Sequence, residues 1–246
     1  MREYPYAHLY VDDVFPEDFY HQLRTNWPSS SSLVSLADTG RVPKGSYPER
    51  FILPLLDPDM HTLDENRRIF WSEFGSWFLS ERFLNAMIEK FSAQVRARFG
   101  DETFRKAYGA EALVVRDLTN YSIGPHTDAP DRLMSLLFYC PDDDSRTHLG
   151  TSIYVPKGAG LGCAGGPHYA HHNFRKVKTM EYRRNALFAF IKSDYSFHGV
   201  EPIGDQAVGR DVLLYDIRIL GSKPAPAQTG GLGLALLKRL FGKRNS

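Results

Sequence analysis

The sequence has few cysteines, almost no net charge and no long hydrophobic run, and each absence narrows the class of protein. Its 246 residues contain only Cys140 and Cys163, too few for a disulfide framework. The formal net charge of +1 at pH 7 offers no basic excess, so no nucleic-acid partner is expected. No apolar run is long enough to span a bilayer and no signal peptide is apparent, which predicts a reducing, cytoplasmic setting.

The residues that are present suit one large domain with an adequate core. Hydrophobic residues make up 42% of the chain and aromatic residues 13%. β-Barrel domains commonly reach this length as a single unit. The first hundred residues show mainly helical patterns. A strand is expected at 7–14, a loop at 28–46, and helices from Pro16 to Trp27 and over 65–79 and 81–99.

From about residue 110 the hydrophobic period changes to two, which is typical of strands. The predicted strands are 111–121, 133–140, 151–155, 185–192, 197–203 and 210–220. Loops rich in Gly, Pro, Asp and His separate them, and no helical pattern of any length occurs between 105 and 220. Many short strands without intervening helices predict a sandwich or jelly roll rather than a doubly wound sheet.

The C-terminal residues differ in composition from the rest of the chain. Residues 221–231 resemble a linker, whereas 232–246 combine apolar and basic side chains in an amphipathic tail. This tail is too short to span a membrane. The alternatives are contact of 232–244 with an anionic membrane surface or a partner, a terminal helix packed on its own domain, and a disordered end. The remaining 1–220 are expected to form one domain, with a helical support over 1–105 and a β core over 106–220.

Three side chains carry the strongest chemical signal: His126, Asp128 and His198. His126 and Asp128 are two positions apart, so in an extended strand both side chains leave the same face and can reach one ion. Gly124-Pro125 before them and Ala129-Pro130 after them mark a strand that ends at a loop. Two imidazoles and one carboxylate on one face of an iron ion leave the opposite face open for substrate and oxygen. The set therefore predicts an oxygen-activating iron site.

Arg210 follows His198 and begins an apolar strand, a position suited to holding a carboxylate. Its guanidinium can form a two-pronged hydrogen-bonded pair with a carboxylate, which lysine cannot copy. We therefore interpret Arg210 as an anchor for the far carboxylate of a keto-acid cosubstrate. The alternative is a structural ion pair with a neighbouring acid such as Asp211.

Taken together, these segments resemble the iron(II)- and 2-oxoglutarate-dependent dioxygenase superfamily, specifically its prolyl-4-hydroxylase-like branch. The resemblance covers about Asp117 to Ile219. It is carried by Tyr-x4-His-x-Asp at 121–128, the run Leu-Leu-Phe-Tyr at 136–139, and His198 followed by Arg210. The opening His-Leu-Tyr-Val-Asp-Asp-Val-Phe-Pro is also similar to such proteins. The resemblance implies a fold that is mainly β with flanking helices: a double-stranded β-helix (jelly roll, cupin-like) core with an N-terminal helical support.

Carried over residue by residue, the resemblance implies that His126, Asp128 and His198 bind Fe(II) and that Arg210 anchors 2-oxoglutarate. Tyr139 matches a tyrosine that contacts the same carboxylate in some relatives, and Tyr121 is a further candidate for that pocket. Both tyrosines could equally be ordinary core residues. The implied reaction uses O2 to hydroxylate an unactivated carbon, with release of succinate and CO2, and ascorbate is a candidate auxiliary reductant. The substrate, a protein residue or a small molecule, is not indicated.

The interval between the two metal-binding motifs is long because of a Gly- and His-rich insertion over 156–184. Its Cys163, His168, His171 and His172 raise the alternative of a second metal site, but their spacing fits no zinc signature. Long loops on a rigid barrel usually carry substrate recognition. We therefore expect the insertion to form a loop over the mouth of the active site.

Three other functions were weighed against the dioxygenase interpretation. A nucleic-acid demethylase of the same superfamily is disfavoured by the neutral charge and by the lack of a second, closely spaced arginine after Arg210. A catalytically inactive jelly-roll protein that binds a metal or a sugar is disfavoured because all four central residues are present. A cupin-type isomerase or sugar-binding module would need three histidines and a glutamate, which the sequence does not offer as a set.

Overall fold

In the described part of the chain, two antiparallel β-sheets pack face to face, and four helices cover the outer face of the larger sheet. The computed structural model describes residues 1–43, 45–55, 57–100, 102, 106–158, 160–205 and 208–221. One hydrophobic core lies between the helices and the larger sheet, and a second lies between the two sheets.

The strands are, in chain order, β1 His8–Val11, β2 Val34–Ser35, β3 Arg50–Pro54, β4 Ala107–Asp117, β5 Ile123–His126, β6 Arg132–Tyr139, β7 Thr151–Pro156, β8 Phe174–Met180, β9 Ala186–Ile191, β10 His198–Val200 and β11 Arg210–Leu220. The larger sheet has the order β1-β9-β6-β11-β4-β3-β2. The smaller sheet has the order β5-β10-β7-β8.

The central strand β11 shows how one sheet separates the two cores. It pairs with β4 on one side and β6 on the other. Successive side chains of a strand point to opposite faces. Leu213, Tyr215 and Ile217 accordingly pack under the helices, whereas Val212 and Leu214 face the smaller sheet. Arg210 belongs to the second set by the same alternation, which directs its side chain between the sheets.

The helices are α1 Glu17–Thr25, α2 Glu65–Phe78, α3 Glu81–Lys90 and α4 Ser92–Phe99. The Asp64 side chain accepts a hydrogen bond from the backbone N–H of Arg67 at the start of α2, at 3.0 Å. Ser80 caps α3 in the same way through the N–H of Phe83, at 3.3 Å. Each cap satisfies a donor that the first helical turn leaves without a backbone partner.

The predicted fold class is confirmed: the chain is mainly β, with flanking helices and two facing antiparallel sheets. Strands β6, β7, β9 and β11 match their predicted ranges to within one residue at each end. Between 106 and 220, the described residues contain only short 3-10 turns, Thr147–Leu149 and His171–Asn173, as helical structure. The strong alternation of these segments is therefore a reliable guide to the core of the fold.

Two predictions for the first hundred residues were wrong in detail. β1 lies within the predicted strand 7–14, but β2 and β3 were not predicted, and β2 lies in the predicted loop 28–46. The predicted helix 81–99 is two helices that break at Phe91, where φ is −109° and ψ is 21°. Phe91 at the break and Val95 after it both pack in the core. The apolar stripe therefore continues across the break, which the sequence pattern does not reveal.

Three predictions for the β region also need correction. The strand placed at 111–121 runs instead from Ala107 to Asp117, and β5 follows as a separate strand. The strand placed at 197–203 contains only His198–Val200. The insertion 156–184 is not entirely loop, because β8 pairs along β7 at the edge of the smaller sheet. β8 contains exposed lysines and an arginine, as edge strands often do. These residues interrupt the apolar alternation by which a strand is predicted.

The predicted linker beyond Gly221 and the amphipathic tail 232–246 lie outside the described residues. Among the helices that are described, none combines the length and apolar character needed to cross a membrane.

Candidate metal centre

The structure brings His126, Asp128 and His198 together at one end of the smaller sheet. His126 ends β5 and His198 begins β10, and the two are direct cross-strand partners. Their ring centroids are 4.4 Å apart. Asp128 follows two residues after β5 ends, and its Oδ1 lies 3.7 Å from Nε2 of His198. One potential ligand atom from each residue lies within 4.8 Å of the other two, a spacing that one metal ion can bridge.

Backbone carbonyl groups hold both imidazole rings from behind. Nδ1 of His126 is 2.9 Å from the carbonyl oxygen of Gly124, and Nδ1 of His198 is 3.0 Å from that of Ser196. A carbonyl oxygen can only accept, so the proton of each neutral ring resides on Nδ1. Nε2 then keeps its lone pair, which is the form that binds a metal. In both cases the carbonyl group that accepts this bond lies two residues before the histidine, so the two rings are held by the same local hydrogen bond.

Asp128 is held by a side chain from the larger sheet. Its Oδ2 accepts a hydrogen bond from Oγ of Ser135 on β6, at 2.8 Å. Behind Ser135 lies Arg132, which forms an ion pair with Asp216. Burial alone would raise the pKa of Asp128, but His198 and Arg132 outweigh that effect and hold the pKa below its usual range. The carboxylate is therefore ionised and oriented at neutral pH.

Burial favours the neutral form of His126. Removal from water, assisted by the neighbouring His198, lowers the pKa of His126 to about 3. The ring is therefore unprotonated throughout the physiological range. His126 therefore offers a neutral nitrogen donor beside the ionised oxygen donor of Asp128.

A row of three charged side chains lies beside this centre, within the space between the sheets. Arg50 on β3, Asp117 on β4 and Arg210 on β11 are directly opposite one another across three neighbouring strands. Nη1 of Arg210 donates to Oδ2 of Asp117 at 2.8 Å, and Arg50 donates to both carboxylate oxygens, at 2.6 and 2.9 Å. Arg210 also donates to the carbonyl of Leu149 and to Oγ1 of Thr151.

Arg210 does form a structural ion pair, as the alternative to the cosubstrate role expected, but its partner is Asp117 and not Asp211. Successive residues of a strand point to opposite faces, so Asp211 lies on the helical side of the sheet. There it pairs with Arg24 and Arg116. The sequence separation between Arg210 and Asp117 had hidden the true partner.

The two candidate tyrosines lie on either side of this charged row. The ring of Tyr139 is centred 5.6 Å from the Arg210 guanidinium, and its hydroxyl accepts a hydrogen bond from the N–H of Thr151 at 3.0 Å. The ring of Tyr121 stacks on the guanidinium of Arg50 at 4.4 Å. The hydroxyl of Tyr121 is buried and has no hydrogen-bond partner among the described residues.

The insertion, which was expected to form a loop over the mouth of the active site, places His168 against the candidate ligand His126. The ring centroid of His168 is 4.5 Å from that of His126. The Tyr47 hydroxyl lies 3.0 and 3.1 Å from the two ring nitrogens of His168. Tyr169 donates its N–H to the carbonyl of Pro125 at 2.9 Å, so the insertion rests directly on β5.

The structure does not group the other candidate ligands of the insertion. Cys163 is buried, and its carbonyl accepts a hydrogen bond from Oγ1 of Thr127. His171 and His172 lie in a 3-10 turn before β8. Of the residues that the structure describes, only His126, Asp128 and His198 form a cluster of three metal-ligating side chains.

Comparison with known proteins supports the fold rather than an activity. No protein-family model matches the sequence, and no curated protein matches it either. HygX from Streptomyces hygroscopicus, solved with nickel and 2-oxoglutarate bound, aligns over 90% of this chain and 87% of its own, with a TM-score of 0.50 and 12% identity. A Pseudomonas putida prolyl-4-hydroxylase aligns over 89% of this chain and 96% of its own, with a TM-score of 0.47 and 15% identity.

A third structure is an oxidoreductase of the 2OG-Fe(II) oxygenase family from Burkholderia pseudomallei. It aligns over 86% of this chain and 84% of its own, with a TM-score of 0.43 and 14% identity. The predicted resemblance is confirmed at the level of fold, which is a jelly-roll core with flanking helices.

Proposed function

We propose that the protein is an iron(II)- and 2-oxoglutarate-dependent dioxygenase that hydroxylates an unactivated carbon of a protein residue or a small molecule, releasing succinate and CO2. The observation that carries this proposal is the convergence of His126, Asp128 and His198, with both Nε2 atoms free to bind. Two imidazoles and one carboxylate with open positions are the ligand set of non-haem iron(II) oxygenases. HygX, which has the same fold and was solved with nickel and 2-oxoglutarate, supports the proposal.

The residues present fit a divalent metal ion. His126 and His198 offer nitrogen donors, burial keeps the His126 ring neutral, and Asp128 is held ionised by its charged neighbours. The backbone carbonyls behind the rings and Ser135 behind the carboxylate keep all three donors in place. Such supporting hydrogen bonds normally accompany metal ligands.

The residues present also fit a dicarboxylate cosubstrate. Arg210 is buried beside the metal centre and points between the sheets, with Tyr139 packed against its guanidinium. A buried guanidinium favours a carboxylate partner because it presents several donors in one plane. The cosubstrate would therefore lie between the metal centre and the start of β11.

Ferrous iron together with 2-oxoglutarate and dioxygen supplies, when bound, the oxidising chemistry that side chains lack. The chain orients these groups and keeps water away. His126, Asp128 and His198 would hold the metal ion. Phe190, whose ring is centred 4.5 Å from that of His198, extends the apolar core up to the metal centre. Exclusion of water limits side reactions of a strong oxidant.

The insertion 156–184 is proposed to recognise the substrate. His168 lies against His126, and Tyr47 holds His168 from the other side. Long loops carried by a rigid barrel are common positions for binding residues. The proposal leaves both a protein segment and a small molecule as substrates, and the near-neutral charge offers no support for nucleic acid.

Oxidation of 2-oxoglutarate without added substrate tests the proposal. The protein is incubated in air with ferrous iron and 2-oxoglutarate, and succinate is measured by NMR. We expect slow succinate formation that is lost in His198→Ala and kept in His21→Ala, a control that removes an exposed imidazole of α1. Equal succinate formation by all three proteins would show that the centre is not responsible.

A further inference from the structure

The charged row beside the metal centre contains one arginine more than its acid can neutralise. Asp117 lies between Arg50 and Arg210 on adjacent strands and forms ion pairs with both. No other acid in the described part of the chain forms an ion pair with either arginine. One carboxylate between two guanidinium groups leaves a single positive charge.

Most of this row is buried, and only Arg50 at its β3 end is partly exposed. The side chains of Arg50, Asp117 and Arg210 are 19%, 0% and 1% exposed, respectively. A buried charge is unfavourable unless an opposite charge and hydrogen bonds compensate it. The row is therefore suited to an anion that completes it.

Tyr121 adds an unused donor at the same place. Its ring stacks on Arg50 at 4.4 Å, and its buried hydroxyl has no hydrogen-bond partner among the described residues. Buried hydroxyl groups are normally hydrogen-bonded, so an orphaned one points to a partner from outside the chain. A carboxylate accepts such a bond and also neutralises the excess charge.

The ion pair with Asp117 weakens the attraction of Arg210 for a second carboxylate. If Arg210 and Asp117 were the only charges, the pair would be neutral and would attract a carboxylate weakly. Arg50 restores a net positive charge to the row. The cosubstrate site thus needs a residue from β3, far from the motif that contains Arg210.

We propose that Arg50 and Tyr121 bind the distal carboxylate of 2-oxoglutarate together with Arg210, and that Asp117 holds the two guanidinium groups in position. This inference rests on the proposed function. It assigns a cosubstrate-binding role to the N-terminal region, where the sequence indicated only structural support. It also explains why an acid is tolerated beside the cosubstrate anchor.

Calorimetric titration of the manganese(II)-loaded protein tests the inference with two ligands. 2-Oxoglutarate carries the distal carboxylate, and 2-oxovalerate has the same carbon chain and keto-acid end without it. Arg50→Met should weaken 2-oxoglutarate binding about tenfold or more, as expected for a lost charged hydrogen bond. The affinity for 2-oxovalerate should not change.

Arg116→Met is the matched control. Arg116 forms a two-pronged pair with the buried Asp211, at 2.7 and 2.9 Å, closely similar to the pair between Arg50 and Asp117. It lies on the opposite face of the same sheet, so it should leave the affinity for both ligands unchanged. Circular dichroism checks that each variant is folded.

The outcomes separate this inference from the proposed function. If wild type binds 2-oxoglutarate and Arg50→Met binds it equally well, the inference is wrong and the proposed function stands. If wild type binds neither ligand, the proposed function is wrong and the inference falls with it.

Should Arg50→Met not fold, Tyr121→Phe removes only a hydroxyl group. A loss of 2-oxoglutarate affinity in that variant supports the inference, and unchanged affinity overturns it.

Discussion

Nε2 of His198 lies 3.7 Å from Oδ1 of Asp128, although one residue begins β10 and the other follows β5. The antiparallel pairing of β5 with β10 brings the two segments together. Hydrogen bonds from Ser135 to Asp128 and between His198 and the Ser196 carbonyl then orient the two side chains. Strand pairing and these hydrogen bonds together position the candidate ligand atoms.

Removal of the support behind Asp128 should weaken metal binding. In Ser135→Ala the carboxylate loses its 2.8 Å hydrogen bond and gains freedom to rotate. Loss of such a supporting partner typically lowers metal affinity about 10- to 100-fold. Competition titration with a metal-binding dye measures the change.

Ser80→Ala, which removes the cap of α3, should reduce stability by about 1 kcal/mol and leave metal affinity unchanged. Equal metal affinity in both variants would contradict the role of Ser135.

The close contact between β5 and the insertion should not tolerate a side chain at Gly124. A Cβ atom there would lie 2.3 Å from the carbonyl oxygen of Tyr169, too close for either backbone to remain in place. Gly124→Ala should therefore lift the insertion from β5 and expose it to proteases. Limited proteolysis followed by mass spectrometry locates the cleavage.

Gly158→Ala is the control for this prediction, because a Cβ atom at that position of the insertion meets nothing within 4 Å. Its proteolysis should match that of wild type. Protection of the insertion in Gly124→Ala would mean that its contact with β5 is not as described.

Phe138 connects the larger sheet to the helices and should be among the most sensitive core positions. Its ring is centred 5.4 Å from both Phe15 and Phe78. Phe138→Ala should reduce the free energy of unfolding by about 3–5 kcal/mol, because it leaves a cavity in the core. Urea denaturation measures the loss. Ile69→Ala, at an exposed position of α2, should stay within about 0.5 kcal/mol of wild type. Similar losses in both variants would argue against this core.

The free energy of unfolding should decrease at acid pH because Glu111 becomes protonated. Burial alone would raise the pKa of Glu111, but Arg41 and Arg218 outweigh it and lower the pKa. The ionised form therefore stabilises the folded state at pH values above the ordinary glutamate pKa of about 4.3. That contribution is lost as the pH falls through the lower pKa of the folded state.

Glu111→Gln should accordingly be less stable than wild type at pH 7, and the difference should shrink as the pH falls below the ordinary glutamate pKa of about 4.3. Urea denaturation at a series of pH values measures it. Glu73→Gln, at an exposed position of α2, should follow wild type throughout. A constant difference between Glu111→Gln and wild type across this range would contradict the assigned pKa direction.

Local patterns predicted much of the fold and the residues of the metal centre. The alternation of β6, β9 and β11 and the His-x-Asp spacing are properties of short segments, so they are readable without the structure. The pairing of Arg50 with Asp117 depends on the register between β3 and β4, which are far apart in the chain. The contact of His168 with Tyr47 likewise joins two irregular segments that show no periodicity. Such contacts arise only from the tertiary arrangement.

The central claim is that His126, Asp128 and His198 hold an iron ion to which 2-oxoglutarate binds. Anaerobic titration of the apo-protein with ferrous iron and then 2-oxoglutarate tests it most directly, through the visible metal-to-ligand charge-transfer band. We predict a band that requires both additions and is absent in His126→Ala. A folded wild-type protein that gives no band, or a band that persists in His126→Ala, would contradict the claim.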